Sequence, residues 1–163
     1  MKSLNLSKWI ALFLTAFTLF SMNTHAQANR NVSEYNLNGD LGLKGYDPVS
    51  YFAEGGSLPA KGNEEITHHH KGVTYRFSSL ENKELFKIMP ERYEPTYGGY
   101  CAWAMAASGS KVDIDPLLYT IDGNRIHFFI APSTKKSFDR DVARFSARAD
   151  RNWENLTGEG PRL

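Results

Sequence analysis

Chemistry in this chain concentrates at a few positions, and Cys101 comes first because it is the only cysteine. It follows Gly98-Gly99-Tyr100 and opens Ala102-Trp-Ala-Met-Ala-Ala107, a run of helix formers closed by Ser108-Gly109. A thiol at a helix N-terminus feels the positive end of the helix dipole, which favours thiolate and makes the sulfur nucleophilic; such a thiol is expected to be partly accessible. Tyr97, Tyr100 and Trp103 gather at the same glycine turn and form the walls of a candidate ligand site centred on Cys101. The competing reading makes Cys101 a small apolar core residue and the aromatics packing surface. No CxxC is present, so redox turnover at Cys101 requires an external thiol partner.

His68-His69-His70 is the second group. On a strand, His68 and His70 share one face and His69 points to the other. Two imidazoles on one face are candidate ligands for a transition metal such as copper or zinc, although two donors do not complete a site. The alternative is a solvated hairpin end beside Lys71. His127 alternates with Phe128 and reads as a packing histidine. Asp47 and Asp115 each precede proline, where an Asp side chain caps a turn through local bonds. No Gly-x-Ser-x-Gly, phosphate loop or His-Glu-x-x-His occurs, so the common hydrolase and nucleotide classes lack support.

These residues need elements to hold them. Ile66–His70 and Val73–Phe77 flank Lys71-Gly72 as a hairpin, with Val73, Tyr75 and Phe77 on one face. Ser78-Ser-Leu-Glu81 reads as a capping box, with Ser78 capping a helix over 79–89 whose inner face is Leu85, Phe86 and Met89, closed by Pro90. A second hairpin turns at Asp122-Gly123-Asn124, between Leu117–Ile121 and Arg125–Ile130. Ser133 caps a last helix carrying the stripe Phe138, Val142, Phe145, Ala149 and Trp153. No internal repeat is evident. The expected fold is α+β: one small domain of two β-hairpins packed with a few helices and a long C-terminal amphipathic helix.

In their order and spacing, Asp47-Pro48-Val49, Tyr75-Arg76-Phe77, and Phe86 followed by Pro90-Glu-Arg-Tyr93 resemble the YHS domain. Gly98-Gly-Tyr-Cys-Ala102, Lys111, Asp115-Pro116 and Asp122-Gly123 extend the resemblance to a longer, exported bacterial YHS-domain family, covering roughly Gly45 to Trp153. The resemblance implies a small module with a role in metal handling. Metal-type members carry cysteines at positions resembling Ser50, Ser78 and Asn82, so thiolate binding of a soft metal does not transfer to this chain. Selenocysteine in some relatives, at a position resembling Cys101, implies redox chemistry there.

The start of the chain supplies an address. Lys2 and Lys8 flank a leader, Trp9–Phe20 is apolar, and Thr24-His25-Ala26 offers a cleavage site, so residues 1–26 read as a secretory signal peptide. The mature chain is expected in the periplasm or outside the cell. Residues 27–44 read as a flexible leader, 45–156 as the YHS-like domain and 157–163 as a polar tail. The whole chain carries 19 Lys and Arg against 18 Asp and Glu. Removing two lysines with the leader leaves near neutrality, and the expectation is of no basic stripe, which argues against nucleic acid as a partner. No second apolar span follows the leader. Three functions stay open: a binding module for a metal ion or small ligand, a thiol redox protein using Cys101, and a structural or partner-binding domain, with a thiol or metal-handling protein as the natural partner. A non-enzyme is favoured.

Overall fold

The computed structural model describes residues 30–160 and Arg162. The expected signal peptide lies outside the described residues. The first hairpin pairs β1 (Asn63–His70) with β2 (Val73–Phe77). Its two-residue turn places Lys71 and Gly72 at φ 45 and 91, the doubly left-handed geometry that matches strand twist. Val73, Tyr75 and Phe77 are buried in alternation, as a half-buried strand requires. Helix α1 (Leu80–Ile88) follows, with Ser79 rather than Ser78 as its cap: the Ser79 hydroxyl accepts from the Asn82 N–H at 3.1 Å. Ser78 is held instead by Asp47. Phe86 is buried, Leu85 is half-buried, and Met89 turns out to solvent because it ends α1 just before the single turn α2 (Pro90–Tyr93).

The second hairpin pairs β3 (Asp115–Asp122) with β4 (Arg125–Phe129), after the short helix α3 (Ala102–Ser108). The expected single C-terminal helix is two. Helix α4 (Pro132–Asp139) stops at Arg140, and α5 (Val142–Thr157) starts anew. The break has a local cause. Asp141 is extended at φ −161, and its carboxylate caps the Arg144 N–H at 3.1 Å, so the chain turns without interrupting the apolar stripe. Phe138, Ala149 and Trp153 from the two helices enter one core. The molecule is thus an α+β single domain with two antiparallel two-stranded sheets.

An internal repeat, not evident in the sequence, organises this domain. Boundaries of the first hairpin and helix recur 52 positions later: Asn63 and Asp115, His70 and Asp122, Val73 and Arg125, Phe77 and Phe129, Leu80 and Pro132. Both first strands slip register at the same place, between Asn63 and Thr67 and between Asp115 and Tyr119. Ring packing repeats as well. Phe77–Phe86 and Phe129–Phe138 lie at 5.3 and 5.2 Å, with interplanar angles of 59° and 57°. Tyr75–Phe86 matches His127–Phe138 at 4.9 and 5.0 Å. Phe86–Tyr93 matches Phe138–Phe145 at 6.4 and 6.1 Å.

The repeat extends upstream through a triplet of left-handed residues, Leu43-Lys44-Gly45 and Tyr97-Gly98-Gly99, with φ values of 51, 52 and 77 against 54, 59 and 88. Each triplet is followed by a tyrosine and then by a residue whose N–H crosses to a distant carbonyl. Asp47 donates to the Ala60 carbonyl and Cys101 to the Val112 carbonyl, both at 2.9 Å. Asp47 and Cys101 are therefore structural counterparts.

Described parts of the two segments read as leader and tail pack on the domain. Tyr35 and Leu43 are buried. Arg30 and Arg162 both reach Glu94, and Tyr35 donates to Glu159 at 2.8 Å. No helix among the described residues is long and apolar enough to cross a membrane.

Candidate functional site

The glycine turn brings Tyr97, Tyr100, Cys101 and Trp103 close in sequence but sends their side chains to different neighbours. Cys101 is the N-cap of α3 and fully buried, bridged to Phe128 of β4. The expected partly accessible thiol is thus a core group, because the β4 edge covers it. Tyr97 is buried and stacks on His127 at 5.8 Å; its hydroxyl donates to Asp150 at 3.0 Å and accepts from Arg125 at 3.3 Å. Burial raises its pKa. Tyr100 lies under Lys111, and Trp103 sits edge-on to Phe145 at 4.8 Å. Each of these aromatics is thus engaged with a different neighbour within the second half of the chain.

Behind Tyr97, His127 is enclosed on β4, in keeping with a packing role. Thr96 donates its hydroxyl hydrogen to the Ile126 carbonyl at 2.9 Å, so it can only accept from His127 Nδ1 at 3.1 Å. That leaves Nε2 as the unprotonated nitrogen, 3.4 Å from the Ser146 hydroxyl. Burial, followed by repulsion from Arg125, pushes the imidazole down to about 3. A serine beside a neutral imidazole is the chemistry of an activated nucleophile. Here both groups are buried, and the pair occupies the place that Tyr75 and Glu94 hold in the first repeat.

Asp47 holds in the first repeat the place that Cys101 holds in the second. One carboxylate oxygen accepts from the Val49 N–H at 2.9 Å, the local turn bond expected before proline. The other reaches across the fold and accepts from the Ser78 N–H, the Ser78 hydroxyl and the Asn82 amide at 2.8, 2.6 and 2.7 Å. The Ser50 hydroxyl donates to the Asp47 carbonyl at 2.7 Å. Ser78 and Asn82 therefore converge on one buried carboxylate while Ser50 bonds the backbone carbonyl of the same residue, and the polar groups of all three are already satisfied. This oxygen and amide cluster does not fit a soft metal.

His68 and His70 do share a face of β1. Their ring centroids are 6.4 Å apart, and both rings stand edge-on to Phe86, at 6.1 and 5.9 Å. Burial lowers both imidazoles below the ordinary histidine value, with nearby lysines adding to the shift at His68. His70 Nε2 is enclosed and has no hydrogen-bond partner among the described residues. His69 points the other way, toward Thr74 and Asp40. Among the described residues, no three His, Cys, Asp or Glu side chains gather closely enough to hold a metal by themselves.

Comparison with family profiles, curated proteins and solved structures finds no match to this chain. The residue reading missed two charged features. One is the buried Glu94 clasp, which joins residues more than sixty positions apart and leaves no local signature. The other is the row Arg140, Arg144, Arg148 and Arg151, whose helical spacing was legible in the sequence.

Proposed function

We propose that this protein is an exported, non-catalytic module of YHS type that binds a transition-metal ion through the imidazoles of His68 and His70. One observation carries the reading: His70 Nε2 is shielded from water, lacks a hydrogen bond, and lies beside a second imidazole on the same strand face. A buried unsatisfied nitrogen is costly, and a metal ion is one way to satisfy it. Both imidazoles are held neutral by their surroundings, the form that binds metal. Two protein ligands leave positions open for water or for a donor of a partner, which suits transient holding better than a closed structural site.

The test is calorimetric titration of Zn(II) and Cu(II) into untagged protein and into the His68→Ala/His70→Ala variant. Binding is expected to weaken by about tenfold or more in the variant. It should also weaken as pH falls below about 6.5, when protons compete for the ring nitrogens. Equal affinity of the two proteins would remove the pair from the argument. Mass spectrometry of fractionated protein tests export, with a mature start at Gln27 expected.

A further inference from the structure

We propose that the C-terminal helices form a docking surface for an acidic segment of a partner protein. The first observation is uncompensated charge. Arg144, Arg148 and Arg151 recur at spacings of four and three on α5, so one helix face carries all three. Lys136 and Arg140 precede them on and after α4. None of these five cations forms an ion pair among the described residues. The acids that would neutralise them are committed elsewhere. Asp139 is held by Lys135 and Thr120, at 2.5 and 2.6 Å. Asp141 caps α5, and Asp150 pairs with Arg125 at 2.5 Å. Glu154, one turn beyond Arg151, pairs with none of them. In a chain whose charges nearly cancel, one face has been left positive.

The second observation is shape. An open groove of about 320 Å³ lies between β3 and α4, lined by Leu118, Pro132, Lys135, Lys136, Asp139 and Arg140. Its floor is apolar and its rim cationic. Arg140 lines the groove and lies two residues before the arginine-bearing helix, so it links the two features along the chain. The combination favours a peptide over the other polyanions. Arginine forks pair carboxylates in a bidentate way, and an apolar floor beside them accepts one aliphatic side chain, which neither a phosphate backbone nor a lipid headgroup offers. The first repeat keeps an arginine only opposite Arg144, where Arg92 is paired with Glu54 at 2.8 Å; its counterparts of Lys136, Arg140 and Arg148 are Glu84, Ile88 and Thr96.

The test is fluorescence anisotropy on the full mature chain with a fluorescein-labelled peptide of glutamates flanking a single leucine. The controls are a single-stranded oligonucleotide of equal charge and vesicles containing phosphatidylglycerol. The peptide is expected to bind, to weaken as salt rises, and to lose about tenfold in affinity against Arg144→Gln/Arg148→Gln/Arg151→Gln. Replacing its leucine with serine should weaken it further through the groove. Should the triple variant fold poorly by circular dichroism, Lys136→Glu/Arg140→Glu serves the same purpose at the other end of the surface. Peptide affinity unchanged in the folded variant, or tighter binding of the oligonucleotide or vesicles, would overturn the proposal. None of these residues touches His68 or His70, so failure here leaves the metal reading standing, and the reverse also holds.

Discussion

Asp47 and Cys101 occupy equivalent places in the two repeats and do opposite things there. Asp47 ties its own turn to a distant segment, since Val49 two residues on, and Ser78 and Asn82 more than thirty residues on, all donate to its carboxylate. At the positions equivalent to Ser78 and Asn82, the second repeat has Ile130 and Thr134, and Thr134 turns its hydroxyl back to the Ala131 carbonyl at 2.7 Å. With no donors to answer, a thiol rather than a carboxylate fills the space. The two sites should therefore respond very differently to truncation. Asp47→Ala strands several buried donors and is expected to cost about 3 kcal/mol, whereas Cys101→Ala leaves only a small void and should cost about 1 kcal/mol. Urea unfolding of the two variants checks this. Alkylation of Cys101 should be fast in urea and very slow in native protein at every pH, which would end a redox role. A thiol that reacts at comparable rates in both states contradicts the burial described here.

At the scale of elements, hairpins were readable because period-two burial and a two-residue turn leave short-range marks, as in Val73, Tyr75 and Phe77 after Lys71-Gly72. The repeat was not readable. Between 63–93 and 115–145, identity is confined to Phe77/Phe129, Lys83/Lys135, Phe86/Phe138 and Arg92/Arg144. What is kept is the ring geometry around Phe86 and Phe138, and many apolar residues can satisfy that. The candidate site was half legible. Alternation placed His68 and His70 on one face correctly, but proximity in sequence misled at Cys101, where a sheet edge arriving from Phe128 decides burial.

The exchange of Tyr75 for His127 within the repeat has a consequence for acid stability. His127 titrates near 3 in the folded protein and near 6.5 in the unfolded chain. Between these values the unfolded chain binds the extra proton, so stability is complete above about 6.5 and is lost as pH falls toward 3. A loss of about 3 kcal/mol from this group is expected at pH 4.5 relative to pH 7.5. His127→Gln should be less stable at neutral pH yet show a flatter profile, read by denaturant titration at the two pH values. Parallel profiles would assign the acid sensitivity to other groups.

Segments from the two ends of the described residues close on one carboxylate. Glu94 is buried beneath both, where it accepts two bonds from Arg30, at 2.6 and 2.9 Å, and one from Tyr75 at 2.8 Å, with Arg162 at 3.2 Å. Burial alone would raise its pKa, but the Arg30 hydrogen bonds and the charges of both guanidiniums hold it below the ordinary carboxylate value. The same two arginines lie on the Tyr35 ring at 5.1 and 5.3 Å, and the Tyr35 hydroxyl donates to Glu159. One carboxylate thus depends on two cations far apart in the sequence, Arg30 and Arg162. Removing either arginine leaves a buried charge half-matched; removing the second takes away what remains. Arg30→Gln and Arg162→Gln are each expected to cost about 1–3 kcal/mol, and the double variant should depart from their sum by at least about 0.5 kcal/mol, since both act on Glu94. A mature chain starting at Gln27 keeps the clasp, whereas one starting at Val32 loses Arg30 and the Asn31 N–H that Glu159 accepts. The shorter chain should therefore behave like the Arg30 variant while remaining sensitive to Arg162→Gln. Strict additivity in thermal unfolding of the single and double variants would show that the ends are fastened independently.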